Sequence, residues 1–283
     1  MNRRRWEEHI FRGLMLASVL LVLTSLAGIL LVVCLKGIPA MSISMVTKTS
    51  EGGFYLGKGG GVLNAIVGSF SLAGGAVLIA LLLSVIVALC INAPSIRSRW
   101  YVRIFRFCVE VLTGVPSIVY GAFGFTVMLS LGIRASLLGG TITVAILILP
   151  IMVRLMDEVI SNVPKGLLEA TLSLGAREWE ASFRVVLRQS LSGVVTAVLI
   201  AFGRGIGDAA SVLFTAGFSD HIPSSLTQPV ATLPLAVFFQ LATPSAEVRM
   251  KAYASALILT TIVLLTSIGA RLIGSRLSRH TIR

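Results

Sequence analysis

Six apolar stretches constrain the fold of this chain more than any other feature. Each is about 18 residues or longer, the length that an α-helix needs to cross the hydrocarbon core of a bilayer. They cover Leu14–Leu35, Val62–Ile91, Phe107–Ile133, Ala135–Val153, Ser190–Gly217 and Ala252–Ile273. Hydrophobic residues make up 55% of the chain and charged residues 13%. The sequence therefore predicts an all-α polytopic membrane protein with six transmembrane helices over residues 14–273, an N-terminal segment 1–13 and a basic tail 274–283.

The basic residues predict the orientation of these spans. The formal net charge is +12, from 24 Lys and Arg against 12 Asp and Glu. If the N-terminus is cytoplasmic, only six basic residues fall outside: Lys36, Lys48, Lys58, Arg134, Arg249 and Lys251. This asymmetry follows the positive-inside rule, so both termini are predicted in the cytoplasm. The basicity is explained by topology, and no nucleic-acid function is needed to account for it.

Residue patterns for catalysis, metal binding and nucleotide binding are missing from the sequence. Cys34, Cys90 and Cys108 are scattered, and the three histidines lie far apart, which predicts neither a disulfide framework nor a metal cluster. The glycine-rich run 57–61 lacks the spacing of a phosphate-binding loop. We expect no cofactor in this chain, so any ATP that drives it must bind to another subunit.

The segment Asp157–Gln189 is the longest polar interruption in the second half of the chain. A short helix is predicted from Pro164, with Asn162 as its cap and Gly175 as its stop, followed by an amphipathic helix that begins near Trp179. The first helix, about ten residues long, is marginal by itself in water, so it must pack on something. Two surfaces are open to it: this chain's own membrane domain or the lipid interface, and a groove on a soluble partner.

Two apolar stretches contain helix-breaking residues. Gly114 and Pro116 predict a kinked third span, which either lines a cavity or is only a packing kink. Glu110, just before them, is expected to pair with Arg103 or Arg106. Leu233–Ala242 is apolar but too short to span, which predicts an interfacial or re-entrant element.

The fifth stretch contains Arg204 near its middle and Asp208 one helical turn later. An arginine at that depth costs at least ~2.5–3.5 kcal/mol on insertion scales, so it needs a partner or a function. One interpretation is a self-neutralising ion pair with Asp208. The other is a ligand site, because Gly203, Gly205 and Gly207 leave room for a ligand and a guanidinium binds oxyanions through two parallel hydrogen bonds.

The polar segment resembles the cytoplasmic EAA loop of ABC importer permeases, in which a short helix docks on the ATPase subunit. The resemblance rests on Glu169 and Ala170, followed by Gly175. It implies that these three residues couple the chain to the ATPase. Thr171 replaces the third residue of the motif, and Arg188 replaces a customary proline, so the bend expected before the fifth span lacks its proline.

Three further strings resemble the membrane subunits of bacterial phosphate importers: GVPSIVYG from Gly114, GRGIGDAASVLFTAG from Gly203 and ATLPL from Ala231. The resemblance covers Glu110–Ile273. It implies a multi-pass permease of the bacterial inner membrane that contacts membrane lipid, a homologous permease, two ATPase subunits holding ATP and Mg²⁺, and an external phosphate-binding protein. It also implies that Arg204 and Asp208 lie on the substrate path and that the Gly114–Pro116 kink lies in the pore region.

The first functional hypothesis is therefore a transport subunit, not itself an enzyme, for inorganic phosphate. Molybdate or sulfate is the alternative substrate within the same class. An ion-coupled secondary transporter would use Arg204 and Asp208 as an anion-and-proton site. It predicts transport without ATP and internal repeats, which the sequence does not clearly show. An intramembrane enzyme is the third hypothesis, and no nucleophile–base pair supports it.

Overall fold

The computed structural model describes residues 2–51 and 59–277 and is built mainly from helices. Helix α1 (Asn2–Gly37) leads into a 3₁₀ turn (Ile38–Ala40) and the short α2 (Ile43–Thr47). Strand β1 (Ser50–Glu51) pairs antiparallel with β2 (Gly59–Gly60), a small hairpin that the sequence did not predict. Gly57 and Lys58 of the glycine-rich run, and residues 278–283 of the predicted tail, lie outside the described residues.

The remaining elements form the main bundle. They are α3 (Leu63–Ile91), α4 (Trp100–Thr113), α5 (Ser117–Ser130), α6 (Leu137–Ser161), α7 (Lys165–Ser173), α8 (Glu178–Ala181), a π-helical turn (Ser182–Val186), α9 (Leu187–Gln189), α10 (Leu191–Ile206), α11 (Leu233–Leu241) and α12 (Ala246–Leu277). Within the described residues, four helices are long and apolar enough to cross a membrane: α1, α3, α6 and α12. Two bent helix pairs, α4 with α5 and Glu178–Gln189 with α10, raise the number of spans to six if each pair is one span.

Helix α6 lies at the centre of the bundle and packs mainly against α3 and α10. Small residues of α3, among them Ala76 and Ala80, are fully buried, as are Ile148 and Met152 of α6. Small side chains let two helices approach closely, which is how helices associate in a membrane. By contrast, no residue in the most apolar stretch of α1 is buried in the single chain, although α1 contacts α12.

The helix boundaries differ from the predicted spans in two places. Helix α6 continues to Ser161, beyond the predicted end at Val153. The prediction ended the span where the sequence becomes polar, whereas the helix itself continues through these polar residues. Helix α10 ends at Ile206 instead of Gly217, and turns follow it. The predicted polar segment therefore begins inside α6, and only its part from 162 onward connects two spans.

The short apolar element near Leu233 is confirmed as helix α11. Leu233 and Leu235 are fully buried, and α11 packs against α12 and α3. The Leu233 N–H donates to the Ser69 hydroxyl of α3 at 2.8 Å, which satisfies a backbone group at the start of the helix. Helix α11 is thus inserted among the longer helices.

Candidate functional site

The connection between α6 and α10 presents α7 on the surface of the bundle. Asn162 was predicted to cap α7, but it lies at the end of α6 instead. Pro164 occupies the position before the first residue of α7. Leu168 packs on the main apolar core, whereas Glu169, Ala170 and the neighbouring polar residues are exposed. Leu174, directly after the helix, is 89% exposed. A helix of this length, with one side only partly buried, leaves its other side open to a second protein.

Gly175 ends α7 as predicted. Its φ of +87° lies in the left-handed region, where a side chain is strained. The Gly175 N–H donates to the Leu172 carbonyl at 2.9 Å, and the Ala176 N–H donates to the Thr171 carbonyl at 3.4 Å. This pair of bonds is a Schellman motif, which reverses the chain after a helix. The glycine therefore sets the direction in which the chain leaves α7.

The bend before the fifth span is present although Arg188 replaces the customary proline. Glu178–Gln189 and α10 meet at 72°. The junction is Ser190, which is 2% exposed and whose hydroxyl donates to the Leu187 carbonyl at 3.1 Å. A π-helical turn precedes it, and such turns disturb regular helical hydrogen bonding. The bend is thus produced without proline.

A polar cluster that the sequence did not predict lies close to α7. The Arg106 guanidinium of α4 donates to the Asp157 carboxylate of α6 at 2.8 Å from Nε and 2.9 Å from Nη2. The Asn92 amide, just after α3, donates to the same carboxylate at 2.6 Å. The cluster joins the end of α3 and the last turns of α6 to the middle of α4. Its only sequence signal was the presence of polar residues beside apolar stretches, which does not reveal the partners.

Among the described residues, Glu110 has no ion-pair partner in its own helix. Arg106 is bound to Asp157, and Glu110 instead has a contact with Arg154 of α6, at 3.8 Å. Both side chains of this second contact are more than half exposed. The prediction that Glu110 pairs with Arg103 or Arg106 is therefore wrong, because Asp157 on the neighbouring helix binds Arg106.

Gly114 and Pro116 lie where the third span breaks. Helices α4 and α5 meet at 98°, which is a break sharper than the predicted kink. Proline cannot donate a backbone hydrogen bond and its ring disfavours a continuous helix, so the chain turns here. The Tyr120 hydroxyl donates to the Leu112 carbonyl at 2.9 Å, which connects the two sides of the break.

Gly121 lets α5 lie against the stretch that follows α10. A Cβ at this position would lie 2.8 Å from the carbonyl oxygens of both Ala210 and Ser211. That distance is too short for a side chain without movement of the backbone. The close approach places α5 beside the residues that follow Arg204 in the chain.

Arg204 lies in the last turn of α10 and is exposed. A Cβ on its neighbour Gly205 would lie 3.2 Å from Val144 and 3.8 Å from Ile148 of α6. At a rise of 1.5 Å per residue, Val144 and Ile148 lie roughly 10–17 Å along α6 from its first residue and roughly 20–26 Å from its last residue. The guanidinium is therefore attached near the middle of the bundle.

Asp208 does not form an ion pair with Arg204 in the part of the chain that the structure describes. It is 7% exposed, and its carboxylate accepts a hydrogen bond from the Ser211 N–H at 2.8 Å. The helix ends at Ile206, between the two residues, so the one-turn spacing of a continuous helix no longer applies. Asp208 instead organises the turn after α10, and the guanidinium stays open on the surface of the single chain.

This helical bundle, with an exposed helix between two of its spans, has the fold of ABC transporter permeases. It matches a chain of the MetNI methionine ABC transporter with a TM-score of 0.60 and 16% identity, covering 76% of this chain and 95% of that one. A second crystal form of the same transporter gives a TM-score of 0.57 and 18% identity, covering 84% of this chain and 99% of that one. The predicted fold class is confirmed.

The family model described as "binding-protein-dependent transport system inner membrane component" matches residues 80–279, so the chain belongs to this family. The phosphate transport system permease protein PstA of Haemophilus influenzae is 32% identical, over 95% of this chain and 94% of that protein. The protein of the same name from Yersinia pestis is 34% identical, over 95% of this chain and 90% of that protein. The resemblance found in the sequence over Glu110–Ile273 is confirmed, and these matches extend it to nearly the whole chain.

Proposed function

We propose that this chain is a membrane permease subunit of an ATP-driven importer of inorganic phosphate. The observation that carries the proposal is the exposed, glycine-ended helix α7 in a chain whose relatives are named phosphate transport permeases. Such a helix is a ready-made element for insertion into a groove of a partner. ATP and Mg²⁺ belong to that partner, an ATPase subunit, and this chain contributes the path.

In this proposal the end of the bundle that holds α7 faces the cytoplasm. Arg97, Arg99, Arg177 and Arg184 lie at this end, in agreement with the positive-inside rule. Both termini are then cytoplasmic, in the bacterial inner membrane. An external phosphate-binding protein delivers the anion at the opposite end, where the turns after α10 and the helix α11 lie.

Arg204 provides the proposed anion contact on the path. Arg204 is exposed and lies near mid-depth, and its neighbours in the chain, Gly203 and Gly205, have no side chains that could block it. A guanidinium offers fork-shaped, charge-assisted donation to two oxygens of an oxyanion. Asp208 would act indirectly, by holding the turn that follows the helix. A homologous permease would close the other side of the path.

The Gly114–Pro116 break would shape the same region. It directs α5 along α6, so that Gly121 contacts the turn that Asp208 organises. A guanidinium does not by itself distinguish phosphate from sulfate or molybdate. Phosphate is favoured over these two because the relatives from Haemophilus influenzae and Yersinia pestis are named for phosphate.

Affinity purification of the tagged full-length chain, from cells that express the whole transporter, tests the proposal. We expect an ATPase subunit and a second permease to copurify. Glu169→Lys should lose the ATPase and keep the second permease, because Glu169 lies on the exposed side of α7. Glu158→Lys, an exposed charge reversal on α6, is the matched control and should keep both. A wild-type chain that never brings an ATPase with it would refute the proposal.

A further inference from the structure

A cleft of about 220 Å³ separates α7 from the turn between α3 and α4. Arg97 from the turn and Lys165 from α7 line it, together with Leu168 and Leu172 as an apolar wall. Glu169 is the one acidic residue among the described residues that line it. Two cations and one carboxylate leave the cleft with an excess of one positive charge.

The two cations are unpaired within the described residues. The structure shows no carboxylate within 4 Å of the Arg97 guanidinium or of the Lys165 ammonium in residues 2–51 and 59–277. Cations beside an apolar wall are less completely hydrated than cations on an open surface, which makes them better carboxylate partners. The cleft therefore favours a single anionic group.

The turn that contributes Arg97 is held in place from both sides. Asn92, at its beginning, is bound to the Asp157 carboxylate of α6. The Ser95 hydroxyl donates to the Glu178 carboxylate of α8 at 2.7 Å, which joins the turn to the helix that follows α7. A surface fixed in this way loses little conformational freedom on binding, so more of the contact energy appears as affinity.

We propose that this cleft is a second docking element for the ATPase subunit and that it receives an Asp or Glu side chain of that subunit. The proposal rests on the proposed function, because it requires that α7 docks on an ATPase. The cleft shares Glu169 with the exposed side of α7, so a subunit that seats α7 would lie beside the mouth of the cleft. A carboxylate carries a single charge, which matches the net charge of the lining.

Charge reversal tests the electrostatic part. Arg97→Glu and Lys165→Glu, each in the full transporter, should lower the amount of ATPase that copurifies by about tenfold, as expected for loss of a close interfacial charge pair. Arg99→Glu is the matched control, since Arg99 is exposed on the same turn and does not line the cleft. It should retain the ATPase.

Zero-length carbodiimide cross-linking tests the contact itself, because it joins an amine to a carboxylate that touches it. The chain has five lysines, at positions 36, 48, 58, 165 and 251. Among the four that the structure describes, only Lys165 lies at the α7 end. We expect a cross-link from Lys165 to an Asp or Glu of the ATPase, identified by mass spectrometry. Lys165→Arg should keep the ATPase bound and lose the cross-link.

The outcomes separate this proposal from the proposed function. If Arg97→Glu and Lys165→Glu both retain the ATPase while Glu169→Lys loses it, the second docking element is wrong and the permease function stands. If inorganic phosphate raises the Tm of the wild-type chain but not that of Arg97→Glu, the cleft is a small-anion site and the proposal is overturned. If the wild-type chain brings down no ATPase, the proposed function itself fails.

Discussion

The Arg106 guanidinium holds the Asp157 carboxylate through two parallel hydrogen bonds, although the residues are 51 positions apart. Asn92 binds the same carboxylate, so the end of α3, α4 and the last turns of α6 are joined at one point. That point lies one turn of helix before α6 ends and α7 begins. The placement of the exposed helix α7 therefore depends in part on this polar cluster.

Arg106→Gln should destabilise the chain by about 1–3 kcal/mol, because it strands a partly buried carboxylate. The Tm of the purified chain in detergent measures the effect. The double variant Arg106→Gln with Asp157→Asn should recover part of the loss. Glu110→Gln is the control, since its contact with Arg154 is 3.8 Å and largely exposed, and it should cost less than ~0.5 kcal/mol. Equal stability of Arg106→Gln and Glu110→Gln would contradict the role of the cluster.

Gly175→Val should impair coupling while the chain still inserts into the membrane. A β-branched residue at a φ of +87° is strained by about 1–3 kcal/mol, so the chain would leave α7 in another direction. We expect reduced transport-coupled ATP hydrolysis at normal membrane abundance. Gly269→Val, in α12 with open space around the position, is the matched control and should hydrolyse ATP normally. Normal coupling in Gly175→Val would remove the glycine from the docking geometry.

Cysteine labelling tests the proposed orientation. On a background without Cys34, Cys90 and Cys108, an impermeant thiol reagent added to intact cells should modify Ile43→Cys and spare Ser98→Cys. Both positions are exposed, Ile43 by 84%, so accessibility within the chain does not decide the result. Labelling of Ser98→Cys alone would reverse the direction of the whole permease.

Local patterns in the sequence predicted the elements that depend on local chemistry. The stop at Gly175, the break near Pro116 and the short helix from Leu233 each follow from glycine, proline or stretch length, and all three are present in the structure. The early end of α10 was missed because the stretch stays apolar to Gly217. There the Asp208 carboxylate binds the Ser211 N–H and starts a turn, an alternative that hydropathy does not detect.

Contacts between distant residues were not predictable from one sequence. The binding of Arg106 to Asp157 and the tie between Ser95 and Glu178 depend on which helix faces which in the folded bundle. Spacing rules describe only neighbours on one helix, and these rules assigned Arg106 to Glu110. The substrate role of Arg204 remains a prediction, because the second permease that would face it is a separate chain.

Arg204 variants should lower phosphate uptake without lowering abundance. Arg204→Lys keeps the positive charge but loses the two parallel N–H donors of the guanidinium, so phosphate uptake should fall. Arg204→Gln also loses the charge and should lower phosphate uptake further. Asp208→Asn should act mainly on stability, since Asp208 binds a backbone N–H and not the guanidinium. Uptake of labelled phosphate and immunoblotting of membranes measure the two effects. Full uptake by the double variant Arg204→Gln with Asp208→Asn would remove Arg204 from the mechanism.

The most direct test measures the movement of labelled phosphate across the membrane of proteoliposomes that contain the purified transporter. The transporter is inserted in either orientation, and ATP is supplied either on the ATPase side or on the opposite side. We predict that phosphate moves toward the ATPase side only when that side has ATP and the binding protein is present on the other. A hundredfold excess of sulfate or molybdate should leave this uptake unchanged. Phosphate movement that needs no ATP, or equal transport of sulfate or molybdate, would contradict an ATP-driven phosphate permease.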